Sequence, residues 1–192
     1  MINLFYNYYK TTNEKRQKEI DFCLNKNLSN KNLNVIIIES QEALTYNYFF
    51  NQINKITDSE DINIISNSDI FLDDSILHCN DIKNNECYAL CRWEYKSQSI
   101  ITFANRVDSQ DVWIFRGRVN NINGDFTLGK PGCDNRIAYE IKQAGYNIKN
   151  PSKTIKTYHV HNSNIRNYNI KNYKQQVVPG PYLTLPIENH LK

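Results

Sequence analysis

The sequence predicts an α/β fold, an α/β/α sandwich in which helices cover both faces of a mostly parallel central sheet. Apolar strand candidates alternate with helix-period segments over the first 65 residues, in the order β-α-β-α-β. Residues 35–38 are Val-Ile-Ile-Ile, a run typical of a strand that is covered on both faces. The chain of 192 residues is long enough for one domain, which at this size buries about 70% of its unfolded surface.

Four segments of the first half justify this order. Residues 2–9, rich in Phe and Tyr, predict the first strand, and residues 62–65 predict the third. A Thr-Thr-Asn-Glu sequence that begins at Thr11 has capping-box spacing and precedes apolar residues at helical spacing, so we expect a helix over 12–28. Apolar residues at helical spacing over 44–53 predict the second helix.

The second half is richer in strands. A Gly-Lys-Pro-Gly loop at 129–132 precedes a helical pattern over 137–144, and Gly145 follows where a left-handed C-terminal cap belongs. Further strands are expected over 87–93, 100–103, 112–115, 146–148 and 155–161.

Composition and charge exclude several classes of protein. With 40% hydrophobic and 22% charged residues, the chain is typical of globular proteins. The net charge of +3 is small and scattered, so we expect no nucleic-acid partner. No apolar stretch is long enough to span a membrane, and the first ten residues do not read as a signal peptide. Five cysteines without a C-x-x-C pair indicate reduced, mostly buried thiols in a cytoplasmic protein.

A polar segment, Ser-Asn-Ser-Asp, follows the third predicted strand at 66–69. Ligands of open parallel sheets bind at the carboxyl ends of the strands, so Asp69 is expected to face a crevice. A hard divalent cation usually takes one or two protein carboxylates together with substrate phosphates. Asp69 is therefore a candidate metal ligand, although Asn, Ser and Asp also build ordinary turns.

Two histidines lie close together near the last predicted strand. His159 and His161 are two residues apart, so on a strand they would share one face. Neutral imidazoles on that face could complete a metal site or contact a phosphate. The alternative is a pair of half-exposed histidines at a strand end.

Asp134 opens the predicted helix after the Gly-Lys-Pro-Gly loop and has two candidate roles. As an N-cap it would accept hydrogen bonds from free amides of the first turn. As a general base it would take the proton of an acceptor hydroxyl. A helix N-terminus lowers the basicity of a carboxylate, which counts against the second role but leaves both open.

An acceptor pocket is one interpretation of the segment Ser-Gln-Asp-Val-Trp at 109–113. Asp111 and Trp113 would hold the acceptor there, since tryptophan faces stack on sugars. The alternative places Trp113 in the core, because Ile114 and Phe115 follow it directly.

Taken in chain order, these segments resemble the GT-A glycosyltransferases over most of residues 1–165. Asn67-Ser-Asp69 corresponds to the D-x-D motif, and His159-Val-His161 to the C-terminal metal-binding histidine. Gly132-Cys-Asp-Asn-Arg136, ahead of Gly145-Tyr, corresponds to the acidic helix start of that family. More narrowly, the chain is similar to short glycosyltransferase-like proteins that carry N-S-D-I, S-Q-D-x-W and P-G-C-D-N-R-I-A-Y-E together.

The resemblance implies a GT-A-like (Rossmann-like) catalytic domain over 1–165, with a C-terminal tail over 166–192 packed on the same domain. It implies a metal-dependent, inverting hexosyltransferase-like enzyme. The donor would be a UDP- or GDP-linked sugar, and the acceptor a hydroxyl group of a glycan, a protein or a small molecule.

Site residues follow from the same resemblance. Asp69 would bind Mn²⁺ or Mg²⁺, and Asn67 would lie near the donor ribose or the metal. His159 or His161, with His159 favoured, would add a further metal ligand, and Asp134 would be the base on the acceptor side. The implied nucleotide contacts are Arg16 and Glu39.

One departure from the family pattern is Asn67 in place of the first Asp of D-x-D, which lowers the negative charge of the site. The chain is also short, which leaves little length for an acceptor-binding subdomain. Both points favour an alternative function, a non-catalytic module that binds nucleotide sugars or glycans. A nucleotidyltransferase ranks lower, because the sequence has no glycine-rich phosphate loop.

Overall fold

A computed structural model describes residues 1–163, 165 and 173–189 of the chain. Within these residues the strands are β1 (Ile2–Tyr8), β2 (Asn34–Glu39), β3 (Ile62–Ser66), β4 (Ile70–Leu72), β5 (Glu86–Leu90), β6 (Trp93–Ser97), β7 (Ile100–Phe103), β8 (Val112–Arg116), β9 (Asn147–Lys149) and β10 (Thr157–His159). The helices are α1 (Glu14–Ser29), α2 (Tyr46–Ile56), α3 (Cys133–Gln143), the short α4 (Tyr173–Gln176) and a 3-10 helix (Asp74–Asp81). The mixed α/β class and the opening order β-α-β-α-β are therefore confirmed.

The central sheet has six strands in the order β2-β1-β3-β8-β5-β9. The prediction of a mostly parallel sheet is wrong, because β8 runs antiparallel to both of its neighbours, β3 and β5. The reason lies in the segment 91–111, which leaves β5 and returns to β8 at the same end of the sheet. Leu90 pairs directly with Val112, so no crossover separates the two strands. The sheet is mixed.

The strand β2 lies at the edge of this sheet, paired only with β1 among the described strands. The sequence predicted that its Val-Ile-Ile-Ile run would be covered on both faces, and this prediction is wrong. Ile37 is 42% exposed. By contrast, the five residues of β3 are all buried, between β1 and β8.

Two hydrophobic cores lie on opposite faces of the central sheet. On β1, Leu4 and Tyr6 belong to one core and Phe5 to the other, as the alternation of side chains along a strand requires. The first core is closed by α1 and by a smaller sheet of order β4-β10-β6-β7. The second core is closed by α2 and α3. This arrangement puts the carboxyl ends of β1 and β3 beside the small sheet.

The start of α1 differs from the predicted capping box at Thr11. The N-cap is Asn13, whose side chain accepts a hydrogen bond of 3.1 Å from the backbone N–H of Arg16. This cap leaves the side chain of Arg16 in the first turn of the helix, at the carboxyl end of the sheet. The end of α3 agrees with the prediction, since Gly145 has a φ of +92°.

The C-terminal segment packs against the rest of the chain where it is described. Val178 and Leu185 are buried in the second core. The backbone N–H of Val178 donates to the carbonyl of Pro131, and that of Leu183 donates to the carbonyl of Asn135. Residues 166–172 and 190–192 of the predicted tail lie outside the described residues.

The five cysteines are unpaired and buried, which confirms that part of the prediction. None of the helices in the described ranges is long and apolar enough to cross a membrane.

Candidate functional site

Asp69 lies in the turn between β3 and β4, at the carboxyl end of the central sheet. The turn is closed by a backbone hydrogen bond of 3.3 Å from Ile70 to Asn67. The carboxylate is 7% exposed, and its Oδ2 atom accepts a hydrogen bond of 2.8 Å from Nη2 of Arg16. A buried carboxylate with only one cationic partner would be incompletely compensated, so its further partners matter.

Those partners are the two histidines. β10 pairs with β4 so that His159 stands opposite Ile70, which brings its ring to Asp69. Oδ2 of Asp69 lies 3.1 Å from Nε2 of His159 and 3.3 Å from Nδ1 of His161. The two imidazole rings are on the same side of the chain, with centroids 5.4 Å apart. The predicted metal ligands therefore meet at one point.

These three side chains fit a divalent cation in donor type and spacing. Their candidate ligand atoms all lie within 4.8 Å of one another. Two ligands at about 2.1 Å from an ion and at right angles are about 3 Å apart, close to the two separations around Asp69. Carboxylate oxygen suits both predicted cations, Mn²⁺ and Mg²⁺, whereas imidazole nitrogen is more typical of Zn²⁺, Fe²⁺ and Cu²⁺.

A row of charged side chains connects this cluster with Asp111. Nδ1 of His159 lies 2.8 Å from Oε2 of Glu94, and Oε1 of Glu94 accepts a hydrogen bond of 2.6 Å from Nε of Arg92. Nη1 of Arg92 donates to Oδ2 of Asp111 at 2.9 Å. Oδ1 of Asp111 accepts from the amide of Asn67, also at 2.9 Å. The row thus returns to the turn that carries Asp69.

Arg92 and Glu94 are not among the site residues that the sequence predicted. Glu94 belongs to β6 of the small sheet and Arg92 directly precedes this strand. Their importance depends on the pairing of β6 with β10, in which Glu94 stands beside His159. The available signal was the alternation Arg-x-Glu, which puts both side chains on one face of an extended segment. That pattern alone does not reveal which face meets the histidine.

The charges in this row shift several pKa values. Burial alone would raise the pKa of Asp69, but the positive charge of His159 and the hydrogen bonds of both histidines hold it well below its usual range. Burial would lower the pKa of His159, but Asp69 and Glu94 raise it to about 10. Burial would raise the pKa of Glu94, but hydrogen bonds from His159 and Arg92 lower it to about 2. Without a metal ion, these groups form a closed set of ion pairs.

Arg16 is positioned by its own helix. Its Nη1 atom lies 3.2 Å from Oε2 of Glu19, one turn later in α1. Glu19 in turn accepts hydrogen bonds from the backbone N–H and the hydroxyl of Ser163, at 2.6 and 2.8 Å. Arg16 and Glu19 therefore tie α1 to the segment that follows His161.

Asp134 lies in the first turn of α3 and is not its N-cap. The N-cap position is Gly132, with a φ of +81°, and no side chain in the described part of the chain caps the helix. Oδ1 of Asp134 accepts a hydrogen bond of 3.2 Å from the thiol of Cys133. Burial and then the negative charge of Asp111 raise the pKa of Asp134 to about 7. These two effects on the pKa outweigh the decrease in pKa that a helix N-terminus produces.

A large cleft of about 1080 Å³ contains these groups. Its described walls come from the carboxyl end of the central sheet, the small sheet, the loop before α3 and the C-terminal segment. The sequence-predicted residues that line it are Arg16, Asn67, Asp69, Asp111, Asp134, His159 and His161.

Two predicted site residues do not face the cleft. Trp113 is 2% exposed and packs edge-on against Tyr46 in the second core, so its indole face is not open to an acceptor. The side chain of β8 at this position points into the core, which is the alternative that the sequence left open for Trp113. Glu39 is exposed at the end of the edge strand β2, and the cleft wall begins at the next residue, Ser40.

No family model, no curated protein and no solved structure matches this chain.

Proposed function

We propose that this chain is a metal-dependent glycosyltransferase with a GT-A-like domain. It transfers a sugar from a nucleotide diphosphate donor to a hydroxyl acceptor, with inversion at the anomeric carbon. The observation that carries the proposal is the meeting of Asp69, His159, His161 and Asp134 in one cleft. Together they would supply what this reaction requires, a cation site and a carboxylate that can accept a proton.

The donor side of the proposal depends on Asp69, the two histidines and Arg16. A bound cation would supply charge neutralisation for the diphosphate leaving group. Arg16 adds a permanent positive charge beside the same carboxylate. Its Nε atom is buried and has no hydrogen-bond partner among the described residues, so Arg16 would act on a phosphate through its charge.

On the acceptor side, Asp134 is the proposed general base. A base is most effective when its pKa lies near the working pH, and the pKa of Asp134 is about 7. The same cleft contains Asp111, whose negative charge contributes to this elevated value. Proton transfer to a positioned base of this kind contributes about 10²–10⁴-fold to the rate.

The test is a thermal-shift screen of UDP- and GDP-linked hexoses with and without Mn²⁺, followed by an assay for released nucleotide and glycosylated product. We expect a nucleotide sugar to raise the Tm in the presence of Mn²⁺, since a ligand of the native state stabilises it. Asp69→Asn and His159→Gln are expected to abolish this shift.

The matched control is His78→Gln, which changes an exposed histidine of the 3-10 helix outside the described cleft wall. It is expected to keep the full shift. A wild-type chain that binds no nucleotide sugar with any divalent cation would refute the proposal.

The second candidate function is a non-catalytic module that binds nucleotide sugars or glycans. The observation that favours it is the engagement of Asn67, whose amide donates to Asp111 instead of offering a second carboxylate to a cation. A Mn²⁺-dependent thermal shift without product formation against any acceptor would support this module over the enzyme.

A further inference from the structure

The cleft contains an exposed aromatic ring, the side chain of Tyr182. This side chain is 48% exposed and lines the cleft. Other large apolar side chains exposed in the described part of the chain, such as Tyr48 and Ile100, do not line it. An exposed aromatic ring in the wall of a cleft can pack against a ligand that has an apolar face.

The ring of Tyr182 is held in place. Its hydroxyl donates a hydrogen bond of 2.5 Å to the carbonyl of Val178. Backbone hydrogen bonds of 2.9 Å fix the segment on both sides of it, from Val178 to Pro131 and from Leu183 to Asn135. A pre-positioned ring gives up little conformational entropy when a ligand packs on it.

The same contacts place Tyr182 beside the turn that carries Asp134. A Cβ atom on Gly132, two residues before Asp134, would lie 3.2 Å from the Tyr182 hydroxyl and 3.0 Å from the carbonyl of Val178. A side chain at this position would crowd both groups, and the φ of +81° also disfavours residues other than glycine. The side chain of Arg136 donates to the carbonyls of Pro179 and Gly180, which fastens the segment to α3.

Aromatic and carboxylate groups in one cleft match the chemistry of a carbohydrate. A pyranose ring has an apolar face of C–H groups that packs on an aromatic ring, and hydroxyl groups around its edge that donate to carboxylates. Tyr182 offers the first kind of contact, and Asp111 and Asp134 offer the second. A peptide acceptor would not need this combination.

We propose that Tyr182 forms the aromatic platform of a carbohydrate acceptor subsite, next to Asp134. That the bound carbohydrate is an acceptor rests on the proposed glycosyl transfer. That a carbohydrate binds at Tyr182 does not depend on it. The acceptor class is then a glycan, and Tyr182 takes the part that the sequence analysis assigned to Trp113.

The experiment measures binding of the chain to an array of immobilised oligosaccharides of glucose, galactose, mannose and N-acetylglucosamine. The oligosaccharides that bind are then titrated in solution with four proteins: wild type, Tyr182→Ala, Tyr182→Phe and Tyr48→Ala. We expect Tyr182→Ala to weaken binding by about tenfold, since it removes the stacked ring. Tyr182→Phe keeps the ring and is expected to bind within about twofold of wild type.

Tyr48→Ala is the matched control, since it removes an exposed tyrosine on α2 outside the cleft wall and is expected to change nothing. A local structural effect of Tyr182→Ala is detected separately, by the thermal shift with nucleotide sugar and Mn²⁺, which is expected to stay at its wild-type value. If Tyr182→Ala does not fold, Tyr182→Leu replaces it in the same titration.

The inference is overturned by unchanged affinity in the folded Tyr182 variant, or by no binding of any oligosaccharide by wild type at millimolar concentration. Loss of glycan binding in Tyr182→Ala, without sugar transfer by wild type, would support the subsite and refute the proposed enzyme. Transfer by wild type, with an unchanged acceptor KM in Tyr182→Ala, would refute the subsite alone.

Discussion

Nδ1 of His159 lies 2.8 Å from Oε2 of Glu94, while Nε2 on the other side of the ring faces Asp69. A carboxylate on the far nitrogen of a metal-binding histidine fixes the orientation of the ring and raises its basicity as a ligand. Nε of Arg92 donates a hydrogen bond of 2.6 Å to Oε1, the other oxygen of the same carboxylate. Glu94 therefore has the geometry of a residue that positions His159 for a cation.

Replacing Glu94 with Gln is expected to weaken Mn²⁺ binding by about 10–100-fold, because the ring loses its charged partner. Titration calorimetry with Mn²⁺ alone measures this without any substrate. Glu42→Gln is the control, since Glu42 is an exposed carboxylate on the rim of the same cleft. Equal Mn²⁺ affinity in Glu94→Gln and wild type would remove Glu94 from the metal site.

Asp134→Asn is expected to lower the rate of sugar transfer by about 10²–10⁴-fold, because the proton of the acceptor hydroxyl then has no base. Binding of the nucleotide sugar with Mn²⁺ should be unchanged, since Asp134 is not among the three candidate ligands. Single-turnover kinetics and the thermal shift measure the two properties separately. Asp125→Asn, an exposed carboxylate outside the described cleft wall, serves as the control. Full transfer activity in Asp134→Asn would show that another group is the base.

The pH dependence of kcat/KM is expected to rise through about 7, where Asp134 becomes ionised and able to accept a proton. Because the charge of Asp111 helps to raise the pKa of Asp134, Asp111→Asn should move this rise to lower pH. Initial rates measured across the pH range for wild type and variant check both statements. A rise that moves to higher pH in the variant would contradict the assignment.

Asp134 is also expected to reduce the stability of the folded chain at neutral and alkaline pH. Its pKa of about 7 in the folded chain lies above the ordinary 3.8. The folded state therefore keeps a proton that the unfolded chain has released, so stability falls as the pH rises from about 4 to 7. Asp134→Asn should be more stable than wild type at pH values above about 7 and nearly equal to it below about 4. Urea unfolding at both pH values measures the difference, and a variant that is less stable at alkaline pH would contradict this account.

Trp113 is expected to act through the core and not through the acceptor. Trp113→Ala should lower the free energy of unfolding by about 3–5 kcal/mol, the usual cost of removing a buried aromatic side chain. Trp113→Phe should cost less and leave the acceptor KM unchanged. Denaturant unfolding and acceptor titration test this pair of variants. A raised acceptor KM with unchanged stability would return Trp113 to the binding site.

Local patterns predicted where strands and helices lie better than they predicted which strands pair with each other. Hydrophobic periodicity placed strands close to β1, β3 and β8, because a strand or helix needs only the alternation of its own residues. The same patterns did not show that β8 is reversed or that β2 lies at an edge, since both depend on how distant segments pair. Val-Ile-Ile-Ile is compatible with a buried strand, but the strand order decides whether a second neighbour covers it.

The sequence by itself determined the α/β class. It also identified polar residues at strand and helix ends as candidates for a site, namely Asp69, the two histidines and Asp134. Only the tertiary structure decided which of them meet, because the pairing of β10 with β4 and β6 brings together groups that are far apart along the chain. The same pairing puts Glu94 in contact with His159, and the C-terminal segment places Tyr182 in the wall of the cleft. A contact between distant residues is set by the register of the sheet and the path of the chain, and neither is contained in a local pattern.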